Sequence, residues 1–308
     1  MAGTVINVRS NFIHRKMSTE TLKFAYDTAV IKRYLELVKF EHTLFALPFA
    51  YGSMILAAHG WPGWSVFFWV TVAMIGARTA SMALNRVIDA KIDAQNPRTA
   101  GREIPKGLIS KQNAVLLAIA GFILLAWAGW KLNPLTFALL PIAVFFLSLY
   151  AYTKRFTFLC HYWLGTTIGA AAAGGWIAVT GSFAPVTFAL WAGVGLWIAG
   201  FDIIYAFLDY DFDVKHGVYS VPAYFGQEKA LKISAITHFL AWIALGLVLP
   251  LANLGYYYAL ALLIVASVLI HAHLLVRQKG VGAALTSFNA NLYISSIVFI
   301  GILLEMMY

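Results

Sequence analysis

Asn85, Asp89 and Asp93 recur every fourth residue, a spacing that stacks them on one face of an α-helix at just over one turn. Carboxylates so placed repel even in water, and in a membrane setting the repulsion is usually relieved by a cation. Asp and Asn oxygens suit Mg²⁺, which takes one or two carboxylates plus substrate phosphates. Arg98 and Arg102 follow within the stretch NRVIDAKIDAQNPRTAGREIPKG (85–107), and arginine can hold phosphates bidentately. A second series in DIIYAFLDYDFD places Asp202, Tyr205, Asp209 and Asp213 at i, i+3, i+7 and i+11, again one helical face. Asp211 falls off that face and is expected to be solvated. The plain alternative is a solvated helix end beside a charged loop. A structural salt-bridge network, however, would mix signs along a face, and here the acids lie on the helices and the bases on the loops. Two carboxylate rows flanked by Arg and Lys form the arrangement needed for a magnesium diphosphate. Tyr205, one turn from Asp209, could steady an allylic cation left by the departing diphosphate.

The elements that must position these residues follow from composition. The chain has 308 residues, 61% of them hydrophobic and 11% charged, far below the roughly 25% charged content of ordinary globular domains. A mean hydropathy of +0.77 and repeated apolar runs of about 20 residues predict an all-α, polytopic membrane protein. The net charge of +9 then reports topology and anionic headgroups rather than a nucleic-acid partner. Cys160, the single cysteine, excludes an internal disulfide.

Residues 1–30 are expected to be a basic tail without a cleavable signal, preceding a transmembrane domain over 31–308. Nine spans are predicted, at about 35–58, 65–90, 112–130, 134–151, 159–180, 184–208, 232–251, 255–275 and 287–306. Gly169, Gly174 and Gly175 are expected to allow close helix approach. Loop Lys and Arg concentrate after the even-numbered spans, as at Arg98, Arg102, Lys106, Lys154, Arg155, Lys215 and Arg277. By the positive-inside rule this puts the N-terminus and both acidic rows on the cytoplasmic face of an inner membrane, with the C-terminus outside. A diphosphate site at the mouth of an apolar bundle implies a substrate with a lipid tail lying between helices or in the bilayer.

The two series, as Asn85-xxx-Asp89-xxx-Asp93 and Asp202-xx-Tyr205-xxx-Asp209-xxx-Asp213, resemble the signature of the UbiA superfamily of intramembrane prenyltransferases. The resemblance extends to PRTAGREIPKG, to Tyr152-Thr153-Lys154-Arg155, and to DVKHG at 213–217. It implies a nine-helix bundle with a central cavity open to the cytoplasm, Mg²⁺ dependence, and transfer of a polyprenyl chain from its diphosphate to an aromatic acceptor. Carried onto this chain, Asn85, Asp89, Asp93, Asp202, Asp209 and Asp213 would ligate Mg²⁺. Arg98, Arg102, Lys154, Arg155 and Lys215 would contact phosphate oxygens, and Tyr205 would steady the cation. HTLFALPFA (42–50), KRFTFLCH (154–161) and GGWIAVTG (174–181) look most like the 4-hydroxybenzoate branch, including UbiA-like members of the futalosine route to menaquinone.

An aromatic acid needs a cation for its carboxylate. Arg78, two turns before Asn85 on the same face, is the first candidate and Lys39 the second. The alternatives are snorkelling or a structural pair. A cation-coupled transporter is the rival class, since it too uses intramembrane acids, although its coupling sites lie near the bilayer midplane rather than at span ends.

Overall fold

The computed structural model describes residues 30–39 and 46–308, so the expected tail lies outside the described residues except for residue 30. The described chain is all helical. A helix α1 covers 30–37, followed by α2 (Leu47–Ala58), α3 (Trp64–Gln95), α4 (Lys111–Leu132), α5 (Pro134–Ala138), α6 (Leu140–Thr153), α7 (Cys160–Thr180) and α8 (Pro185–Tyr205). A 3₁₀ turn (Ala206–Asp209) leads to α9 (Tyr210–His216), α10 (Val221–Phe225), α11 (Gln227–Leu251), α12 (Tyr256–Lys279) and α13 (Ala284–Met307). Five stretches of the described chain are long and apolar enough to cross a membrane, and the last of these, Tyr256–Met307, contains both α12 and α13.

Two expected spans are divided, and the later helix of each carries a proline in its first turn. The first span was expected to be continuous over 35–58. Instead the chain leaves helical geometry at Lys39, with φ at 47°, and α2 starts at Leu47 with Pro48 in its first turn. A proline fits there because the first N–H groups of a helix have no intrahelical acceptor. The fourth span divides likewise into α5 and α6, with Pro141 in the first turn of α6. The expected loop after the sixth span carries two short helices, α9 and α10.

α7 meets two neighbours, α8 and α2, at backbone contact. A Cβ on Gly169 would lie 2.7 Å from the Gly195 backbone nitrogen of α8, and one on Gly175 would lie 2.2 Å from the Ala50 carbonyl of α2. Both positions need glycine for the backbones to meet. Gly174 has open space around its side-chain position, so it does not serve the close approach expected of it. Trp197, Phe49, Tyr258 and Ile294 join α8, α2, α12 and α13 in the largest apolar core. A second cluster gathers the ends of α8, α11, α12 and α13 around Ile203, Ala230, Val276 and Ala284. The basic connections after the even-numbered expected spans therefore share one end of the bundle.

Candidate diphosphate site

α3 continues past the apolar stretch to Gln95, so it carries Asn85, Asp89 and Asp93 on a single rigid rod to that basic end. α8 brings Asp202 and Tyr205 to the same place. The second row was expected on one continuous α-helix, but α8 stops at Tyr205 and Asp209 ends a 3₁₀ turn. Three residues per turn rather than 3.6 rotates the following side chains relative to an α-helical projection. Asp202, Tyr205, Asp209 and Asp213 nevertheless all line one cavity of about 230 Å³, together with Asn85, Asp89 and Asp93. Asp211 is exposed, as expected.

Each acidic row is held by bases from loops. Asp89, only 1% exposed, accepts from Lys154 Nζ at 2.5 Å, Arg155 Nη2 at 3.1 Å and Asn85 Nδ2 at 3.0 Å. Arg102 Nη1 spans both oxygens of Asp93 at 2.7 and 2.8 Å. Asp209 accepts a two-pronged contact from Arg98 and a bond from Asn96 Nδ2 at 2.7 Å. Arg98 also donates to the Tyr205 hydroxyl at 3.2 Å, and its guanidinium sits 5.4 Å from that ring's centroid. Burial works against the charge on Arg98, but the hydrogen bond and field of Asp209 outweigh it and raise the guanidinium above its ordinary pKa. Arg98 thereby ties the loop after α3 to the second row and the turn after α8.

Among the described residues, no three acidic, His or Cys side chains converge as a ready-made metal cage. The donors nonetheless fit Mg²⁺. They are all oxygens, and that ion needs only one or two carboxylates when phosphate oxygens complete its shell.

Four expected residues, Lys39, Arg78, Arg155 and Lys215, do not line the cavity, and Arg155 reaches it only through Asp89. Lys39 and Lys215 are both exposed. Arg78 is committed to backbone carbonyls at the end of α1, with Nε donating to Val38 and Nη2 to Lys39, each at 3.1 Å. Arg86 does the same for the Leu37 carbonyl at 3.2 Å. These bonds satisfy C-terminal carbonyls that a helix leaves unpaired.

Among the cavity residues that escaped the sequence reading are Asn96, Tyr150, His161 and Ser220. Asn96 continues the series 85, 89, 93 by three residues and could have been found by extending it past the helix end. Tyr150 sits four residues before Lys154, one turn back along α6. His161 and Ser220 carry no spacing signal.

The profile of the UbiA prenyltransferase family matches residues 46–297. The 4-hydroxybenzoate octaprenyltransferase of Vibrio campbellii is 27% identical over 283 residues, covering 89% of this chain and 97% of that protein. The apo structure of a UbiA homologue from Aeropyrum pernix superposes with a TM-score of 0.80 at 32% identity, over 86% of this chain and 98% of that one. A UbiA homologue from Archaeoglobus fulgidus bound to GPP and Mg²⁺ shares the fold, with a TM-score of 0.68 at 20% identity over 90% of this chain and all of that one. The similarity runs the length of the bundle, and both acidic rows fall inside the matched residues.

Proposed function

This chain belongs to the UbiA prenyltransferase family, and on that premise we propose that it transfers a polyprenyl chain from an allylic polyprenyl diphosphate to an aromatic acid, 4-hydroxybenzoate first among them, with Mg²⁺ as cofactor. The observation that carries this reading is the meeting of two acidic helix ends and their basic loops around one cavity. The name of the Vibrio campbellii relative supports the acceptor, and the Mg²⁺ and GPP in the Archaeoglobus fulgidus homologue support the donor class and the metal. A transporter reading loses its footing with the family, and the acids sit at helix ends, where a coupling site is not expected.

Asn85, Asp89, Asp93, Asp202, Asp209 and Asp213 would hold the metal. Bound Mg²⁺ supplies neutralisation of the diphosphate oxygens as charge builds on them. Arg98, Arg102, Lys154 and Arg155 would exchange their carboxylate partners for phosphate oxygens. Release of Arg98 from Asp209 would also clear the Tyr205 ring, whose face already accommodates a cation. The C1–O bond breaks with its electron pair going to diphosphate. The acceptor ring, activated by its hydroxyl, attacks the allylic carbon and then loses a ring proton to an aspartate or to diphosphate. Arg78 is the proposed anchor for the acceptor carboxylate. Its Nε and one Nη2 hydrogen serve α1, and a guanidinium has five N–H donors in all. The basic end of the bundle would face the cytoplasm of an inner membrane, with the polyprenyl tail among the helices or in lipid.

The test is to supply the purified protein in nanodiscs with Mg²⁺, a set of prenyl diphosphates and candidate aromatic acids, and to identify products by mass. A prenylated 4-hydroxybenzoate with release of diphosphate is expected. Diphosphate release with a different aromatic acid alone would reassign the acceptor, and no release with any donor would overturn the reading.

A further inference from the structure

His161 stands in the first turn of α7, 3% exposed, and lines the cavity without belonging to either acidic row. Its Nδ1 lies 2.7 Å from Oδ2 of Asp202, and the Val221 backbone N–H donates to its Nε2 at 3.2 Å. A backbone N–H can only donate, so Nε2 carries the lone pair and the ring proton sits on Nδ1, aimed at the carboxylate. Both nitrogens are used and the ring is neutral. Among the described residues Asp202 has no Lys or Arg within ion-pair distance, in contrast to Asp89, Asp93 and Asp209.

We propose that His161 is a positioning residue for Asp202, a neutral donor that fixes one carboxylate oxygen and leaves the other for the metal–diphosphate load. The proposal rests on the reading above, in which Asp202 helps to hold Mg²⁺. Neutrality matters because a cationic partner competes with the metal for the carboxylate's charge. A neutral N–H constrains the carboxylate's orientation without cancelling that charge, which is the usual work of groups that hydrogen-bond to metal-ligating side chains. The bond from Val221 locks the tautomer. It also ties the start of α10, beside the cavity-lining segment 218–220, to the same ring.

The donor and acceptor inventory supplies the test. A glutamine amide offers one acceptor and a donor, so it can replace both contacts yet never carry a charge; leucine offers neither. Mn²⁺ binding by the full-length protein in nanodiscs, in the presence of geranyl thiodiphosphate, is read by electron paramagnetic resonance for the parent, H161Q, H161L, D202N and H161L/D202N. H161L is expected to weaken Mn²⁺ binding by about 10- to 100-fold. H161Q is expected to stay near the parent, and the double variant to bind no more weakly than D202N alone. Parent-like affinity in H161L, a loss in H161Q equal to that in H161L, or additive losses in the double variant would each overturn the inference. If H161L does not fold, H161Q decides alone, since loss of affinity there rejects a neutral role. A parent protein that binds no Mn²⁺ with the analogue rejects the metal-diphosphate reading itself, whereas an indifferent H161L beside a binding parent rejects only the role of His161.

Discussion

At the scale of single residues, charge removal is the sharpest probe, because Asn keeps the shape of Asp and takes away only its charge. Asp89 faces Lys154 and Arg155 while almost wholly buried, so Asp89→Asn leaves two cations looking at a neutral amide. Asp209→Asn does the same to Arg98. Each variant is expected to lower turnover by at least about a hundredfold, the scale of removing one preorganised electrostatic partner. Labelled diphosphate release measures it, and near-parent rates in either would count against a shared two-row site. Arg78→Met is expected to raise the acceptor KM while leaving the prenyl diphosphate KM unchanged. An unaltered acceptor KM and turnover would reduce Arg78 to a clamp on α1. The sequence made Asp89 and Asp209 visible because their partners lie at fixed helical offsets. It could not reveal that Lys39 and Lys215 point away, since loop and helix-end geometry sets the direction of a long side chain.

Helices depend on how closely their backbones meet, and α7 offers an internal control. Gly175 backs onto the Ala50 carbonyl and the Ser53 hydroxyl of α2, while its neighbour Gly174 faces open space. Gly175→Ala must push α2 away and is expected to destabilise the protein by about 1–3 kcal/mol, the usual range for overpacking. Gly174→Ala is expected to be neutral or slightly stabilising, because alanine is the better helix former. Thermal unfolding in detergent compares the two, and equal effects would refute the packing argument. Nothing in the string Gly-Gly distinguishes these residues. Adjacent helix positions differ by about 100°, and only a neighbour in space tells which of them is covered.

For the molecule as a whole, much of the substrate-free site is internally paired: Asp89, Asp93 and Asp209, which would bind metal, hold Lys154, Arg155, Arg102 and Arg98, which would bind phosphate. At these three acids Mg²⁺ alone must displace the bases, and diphosphate alone must strip the bases from the acids. Together they satisfy both sets, so their binding is thermodynamically linked. Mg²⁺ with a prenyl diphosphate is expected to raise the unfolding temperature by more than the sum of the separate shifts, and chelation by EDTA to abolish that gain. Additive shifts would reject the exchange. The amino-acid order by itself determined that this chain crosses a membrane as helices, because lipid leaves backbone groups no other partner, and that two acidic rows with basic loops share one end, because apolar run lengths and charge alternation are local quantities. The tertiary structure alone decided which base meets which acid, where α8 tightens into a 3₁₀ turn, and that His161 reaches Asp202. All of those pairings but Arg102 with Asp93 join residues 41 to 111 positions apart, and they depend on helix rotation and loop path, which no periodicity in the chain encodes.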